Sequence, residues 1–186
     1  MNKADVGIKN VLFSGEQLTQ RISEMGKEIT ELYANSPNKL LIITLLKGGV
    51  VFTSDLIRNI DLECRVEFVK ASSYAGTEST GTVNIYLPRE LDSLEGYDVL
   101  ISEDIADTGL TLSELEKKLL ERKPESLRTA VLLNKPSRRR SPFNPDMVGF
   151  EIPDLFVVGF GLDYCEKYRN LPYIAEMAEE YISNKE

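Results

Sequence analysis

Apolar residues recur at helical spacing near the start of the chain and then give way to an apolar run. The helical pattern follows Ser14 and Gln17, which together form a capping box at a helix N-terminus. The run from 40 to 46 is typical of a strand that is buried on both faces, as in a parallel sheet. The predicted apolar face of the helix consists of Leu18, Ile22, Met25, Ile29 and Leu32.

Strand and helix patterns continue to alternate along the chain. Further strands are predicted at 64–68, 83–87, 99–101, 129–133, 147–152 and 156–159. Further helices are predicted at 50–58, behind residue 111 with Leu112, Leu115, Leu119 and Leu120 on one side, and from Pro172 with Ile174, Met177, Ala178 and Tyr181 on one face. This alternation predicts an α/β fold with a mostly parallel central sheet flanked by helices. At 186 residues, we expect one domain over 1–186.

Residues 99–111 combine an apolar run, three carboxylates and a turn rich in small and hydroxyl side chains. This order predicts a strand, an acidic loop and a helix N-terminus, where backbone N–H groups favour an anion. Gly109 permits the close approach of a phosphate, and the neighbouring threonines can donate to it. Glu103 and Asp104 can accept from a sugar diol or hold a hard cation. The stretch predicts a site for a phosphorylated sugar; the alternative is an ordinary turn with a solvated acidic loop.

Two lysines stand at the ends of predicted strands. Lys47 precedes Gly48 and Gly49, and Lys135 follows the strand at 129–133. The carboxyl ends of parallel strands form the ligand-binding edge of an open α/β sheet, so we expect both lysines near the phosphorylated-sugar site. For Lys47, the pattern equally allows a simple turn with a solvated lysine.

The segment 72–81 is small, polar and long for a connection inside a domain. Such loops are usually functional lids or disordered segments. Tyr74 is the one large side chain near its start, and we expect it to cover a bound ligand. The alternative is a hairpin tip without a function.

Composition narrows the function classes. A formal net charge of -8 disfavours a nucleic-acid surface, and the arginines within 137–140 are interpreted as a solvated loop. The chain has no histidine, so a general base must be Asp, Glu, Lys or Tyr. Cys64 and Cys165 form no C-x-x-C motif, which favours a reduced, cytoplasmic setting. We expect no membrane partner, because no apolar run is long enough to span a bilayer and the N-terminus lacks a signal-peptide core.

Several blocks of the sequence resemble the hypoxanthine-guanine phosphoribosyltransferases, a family of purine phosphoribosyltransferases, in their bacterial form. The family's ribose-phosphate signature is similar to EDIADTG at 103–109, followed by LTL. Its pyrophosphate loop, flexible catalytic loop, purine-recognition lysine segment and C-terminal purine-binding segment are similar to LLKGGVVFTSDLIR at 45–58, SSYAGTESTG at 72–81, LLNKPSRR at 132–139 and VGFEIPDLFVVGFGLDYCEKYRNLPYI at 148–174. These blocks stand in the family's order and cover nearly the whole chain.

The resemblance implies a fold and a reaction. The fold is that of the type I phosphoribosyltransferases, with a flexible loop and a small hood formed by the N-terminal and C-terminal segments. The reaction transfers the 5-phosphoribosyl group of 5-phosphoribosyl-1-pyrophosphate to N9 of hypoxanthine or guanine. Its products are IMP or GMP and pyrophosphate, and its cofactor is Mg²⁺. The resemblance also implies a homodimer or homotetramer.

The resemblance implies roles for the residues around the ribose phosphate. Glu103 and Asp104 would hold the ribose 2- and 3-hydroxyls, directly or through Mg²⁺. Asp107 would face N7 of the purine as general base or acid, a role that a carboxylate can perform without histidine. The turn that would cradle the 5-phosphate consists of Asp107, Thr108, Gly109, Leu110 and Thr111.

The resemblance implies a pyrophosphate site at the end of the first predicted parallel strand. Lys47 and Gly48 would bind pyrophosphate, with the peptide between them in the cis form. Arg169 would contact pyrophosphate as a bidentate donor. Asp163, which belongs to the purine-side residues, would bind a second Mg²⁺.

The resemblance also implies how the purine is recognised. Lys135 would donate to O6, which selects 6-oxopurines over 6-aminopurines. Phe156 would stack on the ring, and Val157 would offer backbone hydrogen bonds to the base. By pattern alone, Phe156 and Val157 are equally well interpreted as core strand residues. Ser73 and Tyr74 would close over the reaction and exclude water.

Three positions depart from common versions of the family pattern. Ala106 replaces a bulkier aliphatic residue and is expected to widen the pocket near the base. Ser102 places a hydroxyl on a buried strand, where it needs a hydrogen-bond partner. Asn134 stands where apolar or acidic residues are frequent. These departures leave open xanthine or another 6-oxopurine as the base. A nucleotide sensor without turnover is a further alternative, but such a protein is expected to lack Asp107 or the Tyr74 loop.

Overall fold

The structure is a computed structural model, and it describes residues 6–73 and 83–183. Its strands are β1 (Ile8–Phe13), β2 (Lys39–Leu46), β3 (Cys64–Ser73), β4 (Val83–Tyr86), β5 (Tyr97–Ala106), β6 (Ser126–Asn134), β7 (Met147–Glu151), β8 (Val157–Val158) and β9 (Ile174–Met177). Its helices are α1 (Gly15–Tyr33), α2 (Gly49–Ile57), α3 (Leu110–Leu120) and α4 (Glu179–Ser183).

Six strands form the central sheet in the order β4-β3-β2-β5-β6-β7. The neighbours from β3 to β7 pair in parallel, and β4 pairs antiparallel with β3. The predicted, mostly parallel α/β sheet is therefore confirmed. In this register, β2, β5 and β6 end close together at one edge of the sheet.

Two apolar cores cover the faces of the central sheet. Alternate residues of β2 point to opposite faces, so Ile42 packs with α1 and α2, whereas Leu41 and Ile43 pack with α3. This double burial explains why β2 is a continuous apolar run.

The predicted start of α1 is confirmed, but one residue of the predicted apolar face is exposed in α1 and one in α3. Gln17 N–H donates to Ser14 Oγ over 3.3 Å, and Ser14 N–H donates to Gln17 Oε1 over 2.9 Å. Leu32 and Leu120 were predicted on buried faces, but they are 41% and 58% exposed. In the last turn of each helix the neighbouring residue is buried instead, Tyr33 in α1 and Leu119 in α3.

A second sheet of three strands joins the two ends of the chain in the order β1-β9-β8, with antiparallel pairing throughout. The prediction of a last helix from Pro172 is wrong, because Ile174–Met177 forms β9 and, of the described residues after Pro172, only Glu179–Ser183 is helical. All four residues of β9 are buried, and the strand has a partner on each side. Long-range pairing thus overrides the helical spacing, which is only local. Strand β1 was not predicted.

The small sheet packs against the rest of the protein through the same core as α1. Val157 of β8 and Ile174 of β9 belong to the cluster that contains Leu18 and Ile22. Within the described residues, no helix combines the length and apolarity that a membrane crossing requires.

Candidate active site

The carboxylates Glu103 and Asp104 lie on strand β5 and not in a loop, which corrects the sequence-based prediction. Pairing with β6 continues past them, with Glu103 opposite Val131 and Ile105 opposite Leu133. The Glu103 side chain also accepts from Leu45 N–H over 3.2 Å, which links β5 to β2. Backbone pairing with β6 extends the strand to Ala106, and both carboxylates are buried rather than solvated.

Burial makes this pair of carboxylates electrostatically unfavourable without a cation. It raises the pKa of Glu103 well above the ordinary value, and the adjacent Asp104 raises it further. Burial is also the main cause of the raised pKa of Asp104. Among the residues described, no lysine or arginine forms an ion pair with either group. A hard divalent cation suits such a pair, because Mg²⁺ usually binds one or two carboxylates and completes its shell with substrate oxygens and water.

Substrate and water would have to supply the remaining ligands of such an ion. No group of three or more metal-ligating side chains occurs within residues 6–73 and 83–183. The turn after β2 comes closest to Asp104 at Gly48, where a Cβ atom would overlap the Asp104 carboxylate. Only glycine therefore lets the turn after β2 approach the carboxylates this closely.

The turn that follows β5 leads directly into α3. Gly109 has a φ of 77° in the left-handed region, and a Cβ atom there would lie 2.6 Å from Ser141 Oγ. No side chain caps the helix that begins at Leu110; the Leu110 N–H donates to Thr108 Oγ1 over 3.4 Å. The first N–H groups of α3, including that of Thr111, are thus oriented for an anion, as the sequence predicts.

The arginines of 137–140 were interpreted as a solvated loop, but two of them bind the turn after β5. Arg138 Nε donates to Asp107 Oδ1 over 3.1 Å, and Arg139 donates to the Asp107 carbonyl over 2.6 Å. The N–H of Arg140 donates to the Thr108 carbonyl over 2.9 Å. The sequence reasoning missed these contacts. The one available signal was that the arginines come shortly after Lys135, which lies at the same edge of the sheet.

A pocket of about 300 Å³ lies at the end of β6, lined by Lys135, Asp107 and Phe156 among others. Lys135 is only 6% exposed, and burial lowers its pKa. Its ammonium makes no hydrogen bond or ion pair with the part of the chain that is described. Phe156 is 40% exposed and contacts the Tyr164 ring edge-to-face, with centroids 5.5 Å apart. The pocket therefore combines an unpaired donor, an ionisable carboxylate and an exposed ring.

Val157 also lines this pocket, and its side chain is buried in β8. Asp163 does not line it. One Asp163 oxygen pairs with Arg169 over 2.8 Å, and the other accepts from Glu166 N–H over 2.9 Å. The structure therefore brings Asp163 to Arg169 and not to the other purine-side residues.

A second cluster of charges lies around the turn after β2. Lys47 Nζ is 2.9 Å from a Glu166 carboxylate oxygen, and Arg169 is 3.5 Å from the same oxygen. Arg169 also donates to the Gly161 carbonyl over 2.8 Å. Hydrogen bonding to Lys47 lowers the pKa of Glu166. The two cations that were predicted to bind pyrophosphate thus face one anionic position.

The cis peptide bond lies one position earlier than expected. It joins Leu46 to Lys47, whereas the bond between Lys47 and Gly48 was expected to be cis. The sequence does not show which of the two peptide bonds is cis, because neither of them precedes a proline.

The chain is similar to known proteins over most of its length. Residues 12–165 match the sequence model of the phosphoribosyl transferase domain. The chain is 48% identical over 178 residues to a hypoxanthine-guanine phosphoribosyltransferase of Staphylococcus epidermidis, covering 95% of this chain and 97% of the relative. For the Bacillus subtilis protein of the same name, identity is 47% over 169 residues, with 90% and 92% covered. The chain belongs to the hypoxanthine-guanine phosphoribosyltransferase family.

Solved structures of this family superpose on nearly the whole chain. A hypoxanthine phosphoribosyltransferase of Staphylococcus aureus gives a TM-score of 0.91 at 44% identity, covering 99% of this chain and 100% of the other. The Trypanosoma cruzi enzyme in complex with the product IMP gives 0.86 at 41% identity, covering 94% and 97%. The type I phosphoribosyltransferase fold is therefore confirmed.

The three departures from the phosphoribosyltransferase pattern have distinct surroundings. Thr53 of α2 donates to the Ser102 hydroxyl over 2.8 Å, which is the partner that Ser102 was expected to need. Asn134 accepts a hydrogen bond from Arg139. The expectation that Ala106 widens the pocket is wrong, because Ala106 is fully buried in the core beneath α3. Its neighbour Ile105 lines the pocket, since adjacent strand residues point to opposite faces.

The predicted lid of the phosphoribosyltransferase site lies largely outside the described residues. Ser73 is the last residue of β3, at the site edge of the sheet. Tyr74 and the rest of 74–82 fall outside the described ranges, so their predicted role stays a prediction.

Proposed function

We propose that this chain is a purine salvage enzyme that transfers the 5-phosphoribosyl group from 5-phosphoribosyl-1-pyrophosphate to N9 of hypoxanthine or guanine. The products are IMP or GMP and pyrophosphate. One observation carries the proposal beyond family membership. Asp107 and the buried, unpaired Lys135 line one pocket, and this pocket opens beside the turn that begins α3.

In the proposed reaction, purine N9 forms a bond to C1 of the ribose as the bond between C1 and the pyrophosphate oxygen breaks. The proton on N7 passes to Asp107, which acts as the general base. Arg138 binds one Asp107 oxygen, and the other oxygen can accept the proton. In the reverse direction, the protonated Asp107 acts as the general acid.

The sugar is held at the end of β5. The 5-phosphate binds the N–H groups and hydroxyls of the turn Thr108, Gly109, Leu110 and Thr111, at the positive end of the α3 dipole. Glu103 and Asp104 would hold the ribose 2- and 3-hydroxyls, directly or through Mg²⁺. When bound by these residues, Mg²⁺ would supply positive charge that neutralises the buried carboxylate pair.

The base is selected at the end of β6. Lys135 donates to O6, an acceptor that a 6-aminopurine lacks. Phe156 stacks on the ring with its exposed face, and Val157 offers its backbone to the edge of the base. The support for these roles is that the three residues line one pocket.

Pyrophosphate is held by Lys47, Gly48 and Arg169, and the charges of Lys47 and Arg169 already converge on one anionic position. Asp163 is proposed as a ligand of a second Mg²⁺, because each of its oxygens keeps a lone pair beside its present hydrogen bond. Ser73 and Tyr74 close over the reacting groups and exclude water.

We also propose the cellular and structural context that the family resemblance implies. The protein works in the cytoplasm, where its free Cys64 and Cys165 stay reduced. It assembles as a homodimer or homotetramer and uses neither a nucleic-acid nor a membrane partner. The 1–186 chain is one domain, and its small sheet of β1, β9 and β8 is the hood.

The direct test is product formation from 5-phosphoribosyl-1-pyrophosphate and each of four bases, with and without Mg²⁺. Hypoxanthine and guanine should give nucleotide and an equal amount of pyrophosphate, and adenine should give neither. Turnover should disappear when Mg²⁺ is chelated. Efficient use of xanthine instead would change the proposed substrate, and no product with any base would refute the proposal.

A further inference from the structure

Lys47 and Arg169, which are proposed to bind pyrophosphate, already bind a carboxylate of the protein itself. One oxygen of Glu166 lies 2.9 Å from Lys47 Nζ and 3.5 Å from the Arg169 guanidinium. Nothing in the proposed reaction requires a carboxylate at this position. The Glu166 carboxylate therefore lies at the position proposed for pyrophosphate, the leaving group of the reaction.

The backbone around Glu166 adopts a conformation that directs this residue toward the cations. Cys165, Glu166 and Tyr168 all have φ values in the left-handed region, at 51°, 60° and 74°. Side chains other than glycine and asparagine rarely adopt this region, and such strain is often associated with functional sites. The Glu166 N–H donates to Asp163 over 2.9 Å, which holds the turn in this form.

The same loop is joined to the turn that carries Lys47. A Cβ atom on Gly161 would lie 2.5 Å from the Gly48 carbonyl, so the two backbones are in direct contact. Arg169 binds the Gly161 carbonyl on the other side. Glu166 and Lys47 are therefore presented to each other by packed backbone, although both side chains are 65% exposed.

We propose that Glu166 is an internal counter-ion that competes with the diphosphate group of the substrate for Lys47 and Arg169. It lowers the affinity for pyrophosphate and for 5-phosphoribosyl-1-pyrophosphate, and it replaces pyrophosphate when the product leaves. Exchange is easy because exposed ion pairs contribute little free energy, whereas a diphosphate brings several charges to the same cations. This inference rests on the proposed function of the Lys47 and Arg169 site.

The test is Glu166→Gln, which removes the negative charge and keeps the size of the side chain. Calorimetric titration with pyrophosphate and Mg²⁺ should give a dissociation constant about 3- to 10-fold lower than that of the wild type, from the loss of two exposed ion pairs. The KM for 5-phosphoribosyl-1-pyrophosphate should fall by a similar factor, and the KM for the purine should not change. The gain should shrink as salt is raised, because salt screens the competing carboxylate.

Two further variants serve as controls. Glu31→Gln changes the net charge equally on an exposed face of α1, far from these cations, and should leave pyrophosphate affinity unchanged. Glu166→Asp keeps the charge and shortens the side chain, so its affinity should lie between those of the wild type and Glu166→Gln.

The outcome separates this inference from the proposed function. Weaker or unchanged pyrophosphate binding in Glu166→Gln would overturn the inference and assign Glu166 to positioning Lys47 and Arg169, or to no role. An equal gain in Glu31→Gln would also overturn it, since net charge alone would then explain the effect. If the wild type itself neither binds pyrophosphate nor turns over, the proposed function fails instead.

Discussion

Lys47 follows β2 and Lys135 follows β6, the two strands that flank β5 at one edge of the sheet, yet the surroundings of the two lysines are opposite. Lys47 is about two-thirds exposed and paired with Glu166, whereas Lys135 is buried and unpaired within the described residues. Burial lowers the pKa of Lys135. Lys47 therefore holds an exposed anion that a ligand can replace, whereas Lys135 has donors that are free to bind a ligand.

Each environment suits a different kind of ligand. A buried ammonium without a partner binds a single neutral acceptor strongly, because desolvation strengthens a charge-assisted hydrogen bond. An exposed ammonium discriminates poorly among acceptors and binds best to a group with several charges. The first suits the O6 of a purine, and the second suits a diphosphate.

The largest effect should come from Asp107, the carboxylate that shares a pocket with Lys135. Asp107→Ala should lower kcat by about 10²–10⁴-fold, since it removes the proposed general base. Pyrophosphate affinity should be retained, because Lys47, Arg169 and Glu166 are unaltered. Steady-state kinetics and calorimetric titration check the two halves of this prediction. Near-normal turnover would remove Asp107 from the mechanism.

Replacing each lysine by methionine tests the comparison directly. Lys135→Met should raise the KM for hypoxanthine by about 10- to 100-fold and relax rejection of adenine, because it deletes a charged donor. Lys47→Met should instead raise the KM for 5-phosphoribosyl-1-pyrophosphate and leave the purine KM unchanged. If both variants change the same KM, the division of the site into two ends is wrong.

The same two variants should differ in stability. Lys135→Met should raise the free energy of unfolding by about 1 kcal/mol at pH 7, since it removes an unpaired buried charge. The lowered pKa means that the folded state binds fewer protons than the unfolded state between the lowered value and 10.5. Wild-type stability therefore gains relative to the variant as pH rises through this window, and the advantage of methionine shrinks. Lys47→Met should stay within about 0.5 kcal/mol of wild type. Urea unfolding at several pH values measures both.

Mg²⁺ should stabilise the centre of the site, between the two lysines. At ten times its dissociation constant, it should add about 1.4 kcal/mol of stability and raise the Tm by about 3–6 °C. The Glu103→Gln, Asp104→Asn double variant should lose this shift, and Glu31→Gln should keep it. Equal shifts in all three proteins would place the ion elsewhere.

Acid titration gives a further test of these carboxylates. Because the Glu103 pKa is raised above 4.5, the folded state binds more protons there, and metal-free wild type should lose stability as pH rises from 4.5 through the raised value. The double variant should lack this loss. Thermal unfolding in a chelating buffer at several pH values measures the difference.

The smallest effect on activity should come from the buried hydroxyl pair of Thr53 and Ser102. Thr53→Val leaves the Ser102 hydroxyl unpaired and should cost about 1–2 kcal/mol of stability. Adding Ser102→Ala should restore part of this loss, and neither KM should change much. Full additivity in this double-mutant cycle would show that the two hydroxyls do not interact.

The central sheet was predictable because its signals are local. A strand buried on both faces must be apolar throughout, so β2 and β6 are visible as runs, and their ends locate Lys47 and Lys135. The capping box likewise gives the start of α1. These features depend on residues that are close in sequence.

The misses that change the fold or the site depend on contacts between distant segments. β1 and β9 pair with each other across almost the whole chain, and the spacing of Ile174 and Met177 fits a helix equally well. Glu103 and Asp104 were assigned to a loop because charged residues rarely continue a buried strand. The contact of Glu166 with Lys47 depends on the backbone conformation of residues 165–168, which the sequence pattern does not reveal.

The segment 138–140 has a consequence for engineering base choice. Its side chains and backbone bind Asp107 and Thr108, and Arg138 lines the pocket proposed for the base. One segment therefore serves both the proposed base pocket and the proposed sugar-phosphate turn. Libraries that randomise it to recruit unnatural bases will loosen the sugar phosphate at the same time. Randomising Ile105 and Phe156, which line the pocket with side chains that cannot hydrogen-bond to that turn, should separate the two properties.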